Sequence, residues 1–207
     1  QIADEACEWL RTEGCRAHDK PWMLFTSFIS PHSPLVAPKA YYDMYPPESI
    51  VLPKKRPPGF QHPWWDALNA CYIFDQSFRD DHQRRIAIAS YYALCTYIDD
   101  QIGRVLDTLA DTGLEESTRV IFLSDHGDNM GARGLWGKSN MYEESAGIPM
   151  IAAGPGIAAE PGGMPPAPSR YAVSSSGSRP NASAAPRMRA RCWGQCRANQ
   201  ARRARAL

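Results

Sequence analysis

Three short, almost uninterrupted apolar segments limit what this 207-residue chain can fold into. They cover residues 22–29 (WMLFTSFI), 119–124 (RVIFLS) and 148–153 (IPMIAA). Apolar runs of this length are typical of strands that are covered on both faces of a sheet. Helical patterns separate them along the chain. Strands that alternate with helices predict an α/β fold, with a parallel sheet between two helix layers in an α/β/α sandwich.

Two amphipathic segments predict the helices of this fold. The longer covers about residues 80–112, where apolar side chains recur at steps of three and four and Gly113 provides a stop signal. A shorter helix is predicted over residues 2–12 and ends near Gly14. The apolar positions of the long helix are Leu94, Ile98, Ile102, Val105, Leu106 and Leu109.

The composition changes abruptly near residue 156. Residues 1–154 contain 14 Lys/Arg and 21 Asp/Glu, whereas residues 155–207 contain nine Arg, no Lys and a single acidic residue. This second segment has too few large apolar residues to offset the entropy of ordering it. We therefore predict a partial α/β domain over residues 1–156 and a disordered Arg/Ala/Pro-rich tail over 157–207. The tail is either a linker or the product of a frameshift, and the abrupt change favours the frameshift.

Several classes of protein and location are excluded or disfavoured. No run of eighteen apolar residues is present, so a membrane-spanning helix is not expected. The chain begins without a basic n-region or an apolar h-region, which predicts no secretory signal and slightly favours the cytoplasm. A first residue other than Met suggests that the natural N-terminus lies further upstream.

The cysteines and the tail arginines indicate no further site. Cys192 and Cys196 lack a second ligand pair, so zinc is not expected there. The remaining cysteines show no framework spacing and are expected to stay reduced. Tail arginines without interleaved aromatics are a weak signal for nucleic acid, which we do not expect as the partner.

Two polar clusters directly follow predicted strands. Residues 30–34 (SPHSP) follow the first strand and residues 124–128 (SDHGD) follow the second. In a parallel α/β sheet, ligands bind beyond the carboxyl ends of the strands. The sequence therefore predicts that the ligand site lies between these two clusters.

Asp125 and His126 combine a carboxylate with an imidazole, a pairing that suits a divalent cation. Gly127 allows the sharp turn that lets both side chains face one point. Two ligands are too few for a metal, so others must come from elsewhere. Spacing alone leaves a second interpretation open, in which the Asp caps a turn and the His packs beside it.

His32 and Lys138 are the other candidates. Prolines on both sides of His32 fix its backbone, which favours a positioned imidazole, although a single His in such a loop is otherwise a surface residue. Lys138 follows a Gly-rich segment and can bind an oxyanion as a point charge. Taken alone, it is better explained as a solvated lysine.

Together these segments resemble the sulfatase family of the alkaline-phosphatase superfamily over residues 4–156. The matching segments, in order, are 31–34 (PHSP), 97–103 (YIDDQIG), 124–128 (SDHGD), 135–143 (LWGKSNMYE) and 148–155 (IPMIAAGP). His rather than Asn after Asp125 resembles the branch that contains choline sulfatases and phosphonate monoester hydrolases.

The resemblance implies hydrolysis of small sulfate esters by a formylglycine made in a C/S-x-P-S-R motif. Asp125 and His126 would supply half of a metal shell, for Ca²⁺ in most members and for Mn²⁺ or Mg²⁺ in some. His32 would contact the ester and assist the leaving oxygen, and Lys138 would bind the sulfate oxygens. Such cations stabilise an anionic transition state preferentially.

The chain departs from the family at the nucleophile. It has no C/S-x-P-S-R motif, and residues 166–170 (PAPSR) carry Pro where Cys or Ser is needed. We therefore predict a fragment that neither hydrolyses sulfate esters nor folds robustly alone. Two alternatives remain: a phosphonate or phosphate monoester hydrolase fragment, and a non-catalytic binding protein whose basic tail contacts nucleic acid. The sequence does not specify an oligomeric state.

Overall fold

A computed structural model describes residues 1–157, except residues 17, 61, 72 and 73, together with a strand at 171–173. The helices are α1 (Ile2–Arg11), α2 (Lys39–Tyr42), α3 (Pro63–Cys71), α4 (Asp81–Asp111) and α5 (Glu143–Ala146). The strands are β1 (Val120–Leu123), β2 (Met150–Ala153) and β3 (Tyr171–Val173). Short 3₁₀ turns lie at Pro47–Ser49, Phe74–Ser77, Glu115–Ser117 and Ala132–Gly134.

Helix α4 confirms the longest predicted helix. Its N-cap, Asp80, accepts a hydrogen bond from the backbone N–H of Gln83 at 2.8 Å. This side chain satisfies one of the amides that a helix start leaves without a partner. Beyond the helix, Gly113 adopts a φ of 75°, a conformation that favours glycine, and the chain turns away.

Helix α1 packs against α4 and confirms the predicted N-terminal helix. Arg11 donates to the hydroxyl of Thr108 on α4 at 3.3 Å, and Arg104 pairs with Asp4 at the other end of the contact. Ile2, at the start of the helix, is 39% exposed and lies outside the buried face. The buried residues of α1 are Ala3, Ala6, Cys7 and Leu10.

The principal core lies between α4 and the segment around α2. Two tyrosines anchor that segment to α4: Tyr41 donates to Asp100 at 2.9 Å, and the hydroxyl of Tyr45 lies 2.6 Å from that of Thr96. Alanines on α4 leave room for the aromatic rings. The fully buried members of this core are Tyr45, Ile50, Ile88, Ala89 and Ala93.

The sheet corrects the predicted strand direction. The strand order is β1-β2-β3, and β1 pairs antiparallel with β2, with Val120 opposite Ala153 and Leu123 opposite Met150. β2 pairs parallel with β3. The all-parallel prediction was therefore wrong for the pair at 119–124 and 148–153. A parallel pair needs a crossover connection, usually a helix, whereas only the four-residue helix α5 and a 3₁₀ turn lie between these strands.

The first predicted strand, residues 22–29, has no regular secondary structure and is not part of the sheet. Among the described residues, no backbone–backbone hydrogen bond joins residues 22–28 to another segment. Its side chains alternate between half-buried and exposed, with Met23 at 89%, Phe25 at 82% and Ile29 at 79% exposure. Strand β1 is also open, since Ile121 is 58% exposed. The prediction that other elements cover both faces of these strands is wrong, because the described helices pack mainly against each other and against loops.

The predicted tail falls largely outside the described residues. Residues 158–170 and 174–207, including Cys192 and Cys196, are not described, and the disordered or frameshifted tail stays a prediction. None of Cys7, Cys15, Cys71 and Cys95 forms a disulfide within the described residues. Among the described helices, none is both long and apolar enough to cross a membrane.

We expect the exposed apolar segment at residues 22–29, which lies outside the sheet, to make the chain self-associate. An uncharged, apolar strand with an unpaired edge is a template for pairing with another chain. Phe25→Lys places a charge on the exposed face and should shift association to higher protein concentration. Sedimentation velocity across a concentration series measures this shift. Met141→Lys is the control, since Met141 is 91% exposed elsewhere. Equal association of all three proteins would contradict the expectation.

Candidate functional site

The cluster at residues 124–128 folds into a tight turn directly after β1. The Ser124 hydroxyl donates to the carbonyl of His126 at 2.8 Å, and the Asp125 carboxylate accepts from the N–H of His126 at 3.0 Å. Gly127 donates its N–H to the carbonyl of Ser145 at 2.7 Å. A Cβ at position 127 would overlap the carbonyl oxygen of Glu144. Glycine is therefore needed here because the turn packs directly against α5.

His126 is held in one tautomer by its own turn. Its Nδ1 lies 2.8 Å from the carbonyl oxygen of Gly127. Because a carbonyl oxygen can only accept, Nδ1 carries the hydrogen and the neutral ring presents the lone pair of Nε2. Lys138 Nζ lies 2.6 Å from that Nε2, and Asp125 Oδ2 lies 3.4 Å from it. Three of the four predicted site residues therefore meet at one atom.

His32 lies beside this group. Its ring centroid is 6.4 Å from that of His126, with the rings inclined at 68°. Its Nδ1 lies 2.8 Å from the carbonyl oxygen of Ser33, which again leaves Nε2 as the open nitrogen. The structure thus brings all four predicted side chains into one neighbourhood. Their chemical roles stay predictions.

The charges at this point favour an ionised Asp125. Desolvation raises the pKa of its carboxyl, but the electrostatic interaction with the adjacent His126, backbone hydrogen bonds and the charge of Lys138 together lower the pKa below its ordinary value. The Asp125 side chain is 84% exposed, whereas that of His126 is 31% exposed. The carboxylate is accordingly open to a ligand from solvent.

Asp125 and His126 fit half of a metal shell. Within the described part of the chain, no group of three or more His, Cys, Asp or Glu side chains is placed to hold a metal ion. The pair nevertheless presents a carboxylate oxygen and an imidazole lone pair 3.4 Å apart, in the tautomer that metal ligation requires. In this structure the lone pair accepts a hydrogen bond from Lys138.

Asp128 positions Lys138 by closing the loop that precedes it. Its carboxylate accepts from the N–H groups of Met130 at 2.9 Å and Gly137 at 3.0 Å. Asn129 adds two hydrogen bonds to the Gly137 carbonyl, one from its backbone and one from its side chain. Sequence reasoning missed this role, although an Asp that precedes a Gly-rich segment is a recognised turn signal.

Trp136 ties the same loop to the long helix. Its indole N–H donates to Asp75 at 2.9 Å, and Arg84 of α4 donates to the same carboxylate at 2.9 and 3.0 Å. Burial raises the pKa of Asp75, but hydrogen bonds from Arg84 and Trp136 outweigh it, and the pKa is lowered. No sequence signal reveals this contact, because Asp75 and Trp136 are 61 positions apart.

Glu144 supports the far side of the loop. Arg133 donates to its carboxylate at 3.1 and 2.9 Å, and Lys54 pairs with it at 3.1 Å. The Arg133 guanidinium also lies 3.8 Å from the ring centroid of Tyr142. Burial raises the pKa of Glu144, but hydrogen bonds from Arg133, the backbone and Lys54 lower it below its ordinary value of 4.5. Sequence reasoning missed this group as well.

The sequence model of the sulfatase family matches residues 1–176. The chain belongs to the sulfatase family. This sulfatase-family chain is 35% identical over 164 residues to a choline-sulfatase from Rhizobium meliloti (strain 1021), a match that covers 76% of the chain and 31% of that protein. It is 33% identical over 170 residues to the iduronate 2-sulfatase of Homo sapiens, covering 75% of the chain and 30% of that protein.

Solved structures agree with the family assignment. The phosphonate monoester hydrolase SpPMH from Silicibacter pomeroyi superposes with a TM-score of 0.66 at 26% identity, covering 84% of this sulfatase-family chain and 34% of that chain. The phosphonate monoester hydrolase of Agrobacterium radiobacter, at 23% identity and a TM-score of 0.57, supports the fold alone. The chain thus spans about a third of the length of the relatives it matches.

We expect the Glu144 contacts to make the stability of this sulfatase-family chain sensitive to acid. Because folding lowers the Glu144 pKa, its contribution is complete above the ordinary value of 4.5 and is lost as the pH falls through the folded pKa. Glu144→Gln should lower the free energy of unfolding by about 1–2 kcal/mol near pH 7. Urea denaturation between pH 3 and 7 should show this difference shrinking below pH 4.5. Glu48→Gln, at an exposed position, is the control; a difference that does not depend on pH would contradict the expectation.

Proposed function

We propose that this chain is part of an enzyme that hydrolyses sulfate esters with the help of a divalent metal ion. The observation that supports this proposal is the meeting of the Lys138 ammonium, the His126 imidazole and the Asp125 carboxylate at one point, with His32 beside them. Relatives named choline-sulfatase, iduronate 2-sulfatase and arylsulfatase point to the same class of reaction.

Lys138 is proposed to bind the sulfate oxygens. A sulfate ester carries one negative charge over its terminal oxygens, and an ammonium group attracts it as a point charge. The Asp128 and Trp136 contacts hold the Lys138 loop in place before substrate arrives. A cation that is fixed in advance stabilises the charge that develops in the transition state without further reorganisation.

His32 is proposed to assist the leaving oxygen. Its Nδ1–H is committed to the Ser33 carbonyl, so a proton gained at Nε2 is the one available for transfer. A protonated imidazole that is positioned in this way can donate that proton to a departing alkoxide. The His126 ring, whose centroid lies 6.4 Å from that of His32, supports placing His32 at the same site as the proposed metal ligands.

Asp125 and His126 are proposed to hold the metal ion together with ligands from outside the described residues. The resemblance favours Ca²⁺, with Mn²⁺ or Mg²⁺ as alternatives, and a mixed oxygen and nitrogen donor pair is compatible with them. When bound, such an ion supplies Lewis-acid stabilisation of negative charge on the substrate oxygens.

A phosphonate monoester hydrolase is the second candidate. A protein of that name is among the similar solved structures, at 26% identity. Phosphonate monoesters carry the same single negative charge as sulfate esters, so Lys138 and His32 would serve both. The third expectation, a basic tail that contacts nucleic acid, concerns residues outside the described part of the chain.

We expect Mn²⁺ to bind at Asp125 and His126. Mn²⁺ is paramagnetic, so it should broaden the NMR signals of the His126 and His32 rings more strongly than that of His18, at the C-terminal side of α1. Asp125→Asn removes one charged ligand and should weaken the effect by about tenfold or more. Asp66→Asn, at an exposed carboxylate that pairs with Arg56, is the matched control.

The pattern of broadening distinguishes Mn²⁺ binding at Asp125 and His126 from adventitious binding elsewhere on the surface. Equal broadening of all histidine signals, or an unchanged titration in Asp125→Asn, would count against the proposed metal ligands. Displacement of Mn²⁺ by Ca²⁺ at lower concentration than by Mg²⁺ would support Ca²⁺ as the physiological ion.

We expect Lys138→Ala to weaken binding of phenyl sulfate to the 207-residue chain by about tenfold, because one charge-assisted contact is lost. Titration by NMR measures the affinity. Lys39→Ala is the control, since Lys39 pairs with Asp43 in α2. Tighter binding of a phenyl phosphonate ester than of phenyl sulfate would favour the second candidate.

Turnover is the complementary measurement. The chain contains no C/S-x-P-S-R nucleophile motif, so its hydrolysis of an aryl sulfate should not exceed that of a His32→Ala variant. Hydrolysis above that control would refute the expectation that this chain is inactive alone.

A further inference from the structure

Left-handed backbone is concentrated in the loop that carries Lys138. In the described part of the chain, the residues other than glycine with a positive φ are Met130 at 44°, Arg133 at 58° and Ser139 at 80°. All three lie in the segment 130–139. A residue with a Cβ is crowded in this conformation and keeps it only where the surrounding structure fixes it. Each of the three therefore needs a contact that holds its backbone.

Met130 and Arg133 are held by contacts of their own. The Met130 N–H donates to the Asp128 carboxylate at 2.9 Å, and the Met130 side chain packs against the principal core. The Arg133 N–H donates to the Lys54 carbonyl at 2.7 Å, and the Arg133 guanidinium donates to Glu144 at 2.9 Å. These contacts account for the conformations of both residues.

Ser139 has no such contact of its own. Its side chain is exposed, and within the described residues neither its hydroxyl nor its backbone takes part in a hydrogen bond. The residues on either side of it are held instead. Lys138 Nζ lies 2.6 Å from His126 Nε2, and Asn140 is only 7% exposed and accepts the Tyr142 N–H at 3.0 Å. The conformation of Ser139 is therefore fixed through its two neighbours.

The left-handed turn at Ser139 separates the side chains of Lys138 and Asn140. In an extended chain, side chains two positions apart lie on the same face. Here Lys138 is exposed and reaches His126, whereas Asn140 is buried. Gly137 also has a positive φ, 71°, so the chain changes direction on both sides of Lys138. An extended Ser139 would displace either the ammonium group or the Asn140 side chain.

We propose that Ser139 is a positioning residue for Lys138: its left-handed backbone places the ammonium group at His126 while Asn140 stays buried. The backbone carries this role, since the hydroxyl has no hydrogen-bond partner among the described residues. The inference rests on the proposed function only for its consequence on sulfate binding. The contact between Lys138 and His126 can be measured without any ligand.

Three substitutions in the 207-residue chain separate the role of the backbone from that of the side chain. Ser139→Gly permits a positive φ at no steric cost, Ser139→Ala removes only the hydroxyl, and Ser139→Val adds a β-branched side chain that strongly disfavours this φ. Ser139→Val should bind phenyl sulfate about tenfold more weakly than wild type, because one charge-assisted contact is lost. Ser139→Gly and Ser139→Ala should stay within about twofold of wild type, because both keep the left-handed backbone. NMR titration measures each affinity.

A ligand-free measurement reports on the contact itself. An NOE between the Lys138 ε-methylene protons and the His126 ring protons should be present in wild type, Ser139→Gly and Ser139→Ala and absent in Ser139→Val. The control is Ser117→Val, at an exposed serine whose φ is not positive, and it should keep the NOE and the affinity. An NOE of unchanged intensity in Ser139→Val, or no NOE in wild type, would overturn the proposal.

A double-mutant cycle shows whether Ser139 acts through Lys138. In the Lys138→Ala chain, Ser139→Val should cause no further loss of phenyl sulfate affinity, because the ammonium group that it positions is already absent. A loss of equal size in both backgrounds would assign Ser139 a general structural role and overturn the proposal. If Ser139→Val does not fold, Ser139→Thr replaces it, since threonine is β-branched but keeps the hydroxyl.

The urea midpoint tests the left-handed conformation separately. Ser139→Gly should have a higher midpoint than Ser139→Ala, because alanine is crowded at a positive φ and glycine is not. An equal or lower midpoint for Ser139→Gly would overturn the proposal at its first step.

Failure of the proposed function gives a different result. If Lys138→Ala leaves the phenyl sulfate affinity unchanged, the sulfate does not lie at Lys138. The NOE between Lys138 and His126 then still decides whether Ser139 positions the ammonium group.

Discussion

The carboxylate of Asp75 is the interaction that fixes the candidate site to the helical part of the chain. It accepts hydrogen bonds from Arg84 near the start of α4 and from Trp136 in the loop before Lys138. Burial alone would favour the neutral acid, but these two donors lower the pKa and keep the charge. A partly shielded, charge-assisted hydrogen bond is stronger than a neutral one. The place of Lys138 beside His126 therefore depends on a residue in a different part of the sequence.

Local sequence signals were sufficient to predict α1 and α4, but not the shorter helices α2, α3 and α5. The cap at Asp80, the apolar steps of α4 and the stop at Gly113 act within a few residues, so their outcome does not depend on distant partners. The meeting of Asp125, His126 and Lys138 was also expected, but for a reason that is only partly right. Parallel strand ends were the basis for the clusters at 30–34 and 124–128, whereas Lys138 was added to the site only through the family resemblance. In the structure, the loop from β1 to α5 brings Lys138 to His126 by folding back on itself through Asp128 and Gly137.

The strands show why the rest of the fold could not be predicted from the sequence. An apolar run such as residues 22–29 indicates that both faces of a strand need cover, but it does not specify which element provides it. Here Met23 and Phe25 are exposed, and α1 and α4 pack against each other. Strand direction could not be predicted either, since the path of the segment between β1 and β2 decides whether they pair parallel or antiparallel. Contacts such as Asp75–Trp136 and Arg133–Glu144 join distant or weakly constrained loops, and composition carries no signal for them.

The same kind of local hydrogen bond fixes the tautomers of His32 and His126, and for His126 it also affects Lys138. In each, the carbonyl of the following residue accepts the Nδ1 hydrogen, so the tautomer is set by the turn and not by a distant partner. Each Nε2 therefore carries a lone pair. In His126 this lone pair accepts a hydrogen bond from Lys138. A cation that takes this lone pair must break the hydrogen bond from Lys138, and this frees a third N–H of the ammonium for an anion. An anion that draws the ammonium away from His126 exposes the same lone pair to a cation, so the two binding equilibria are linked through this contact.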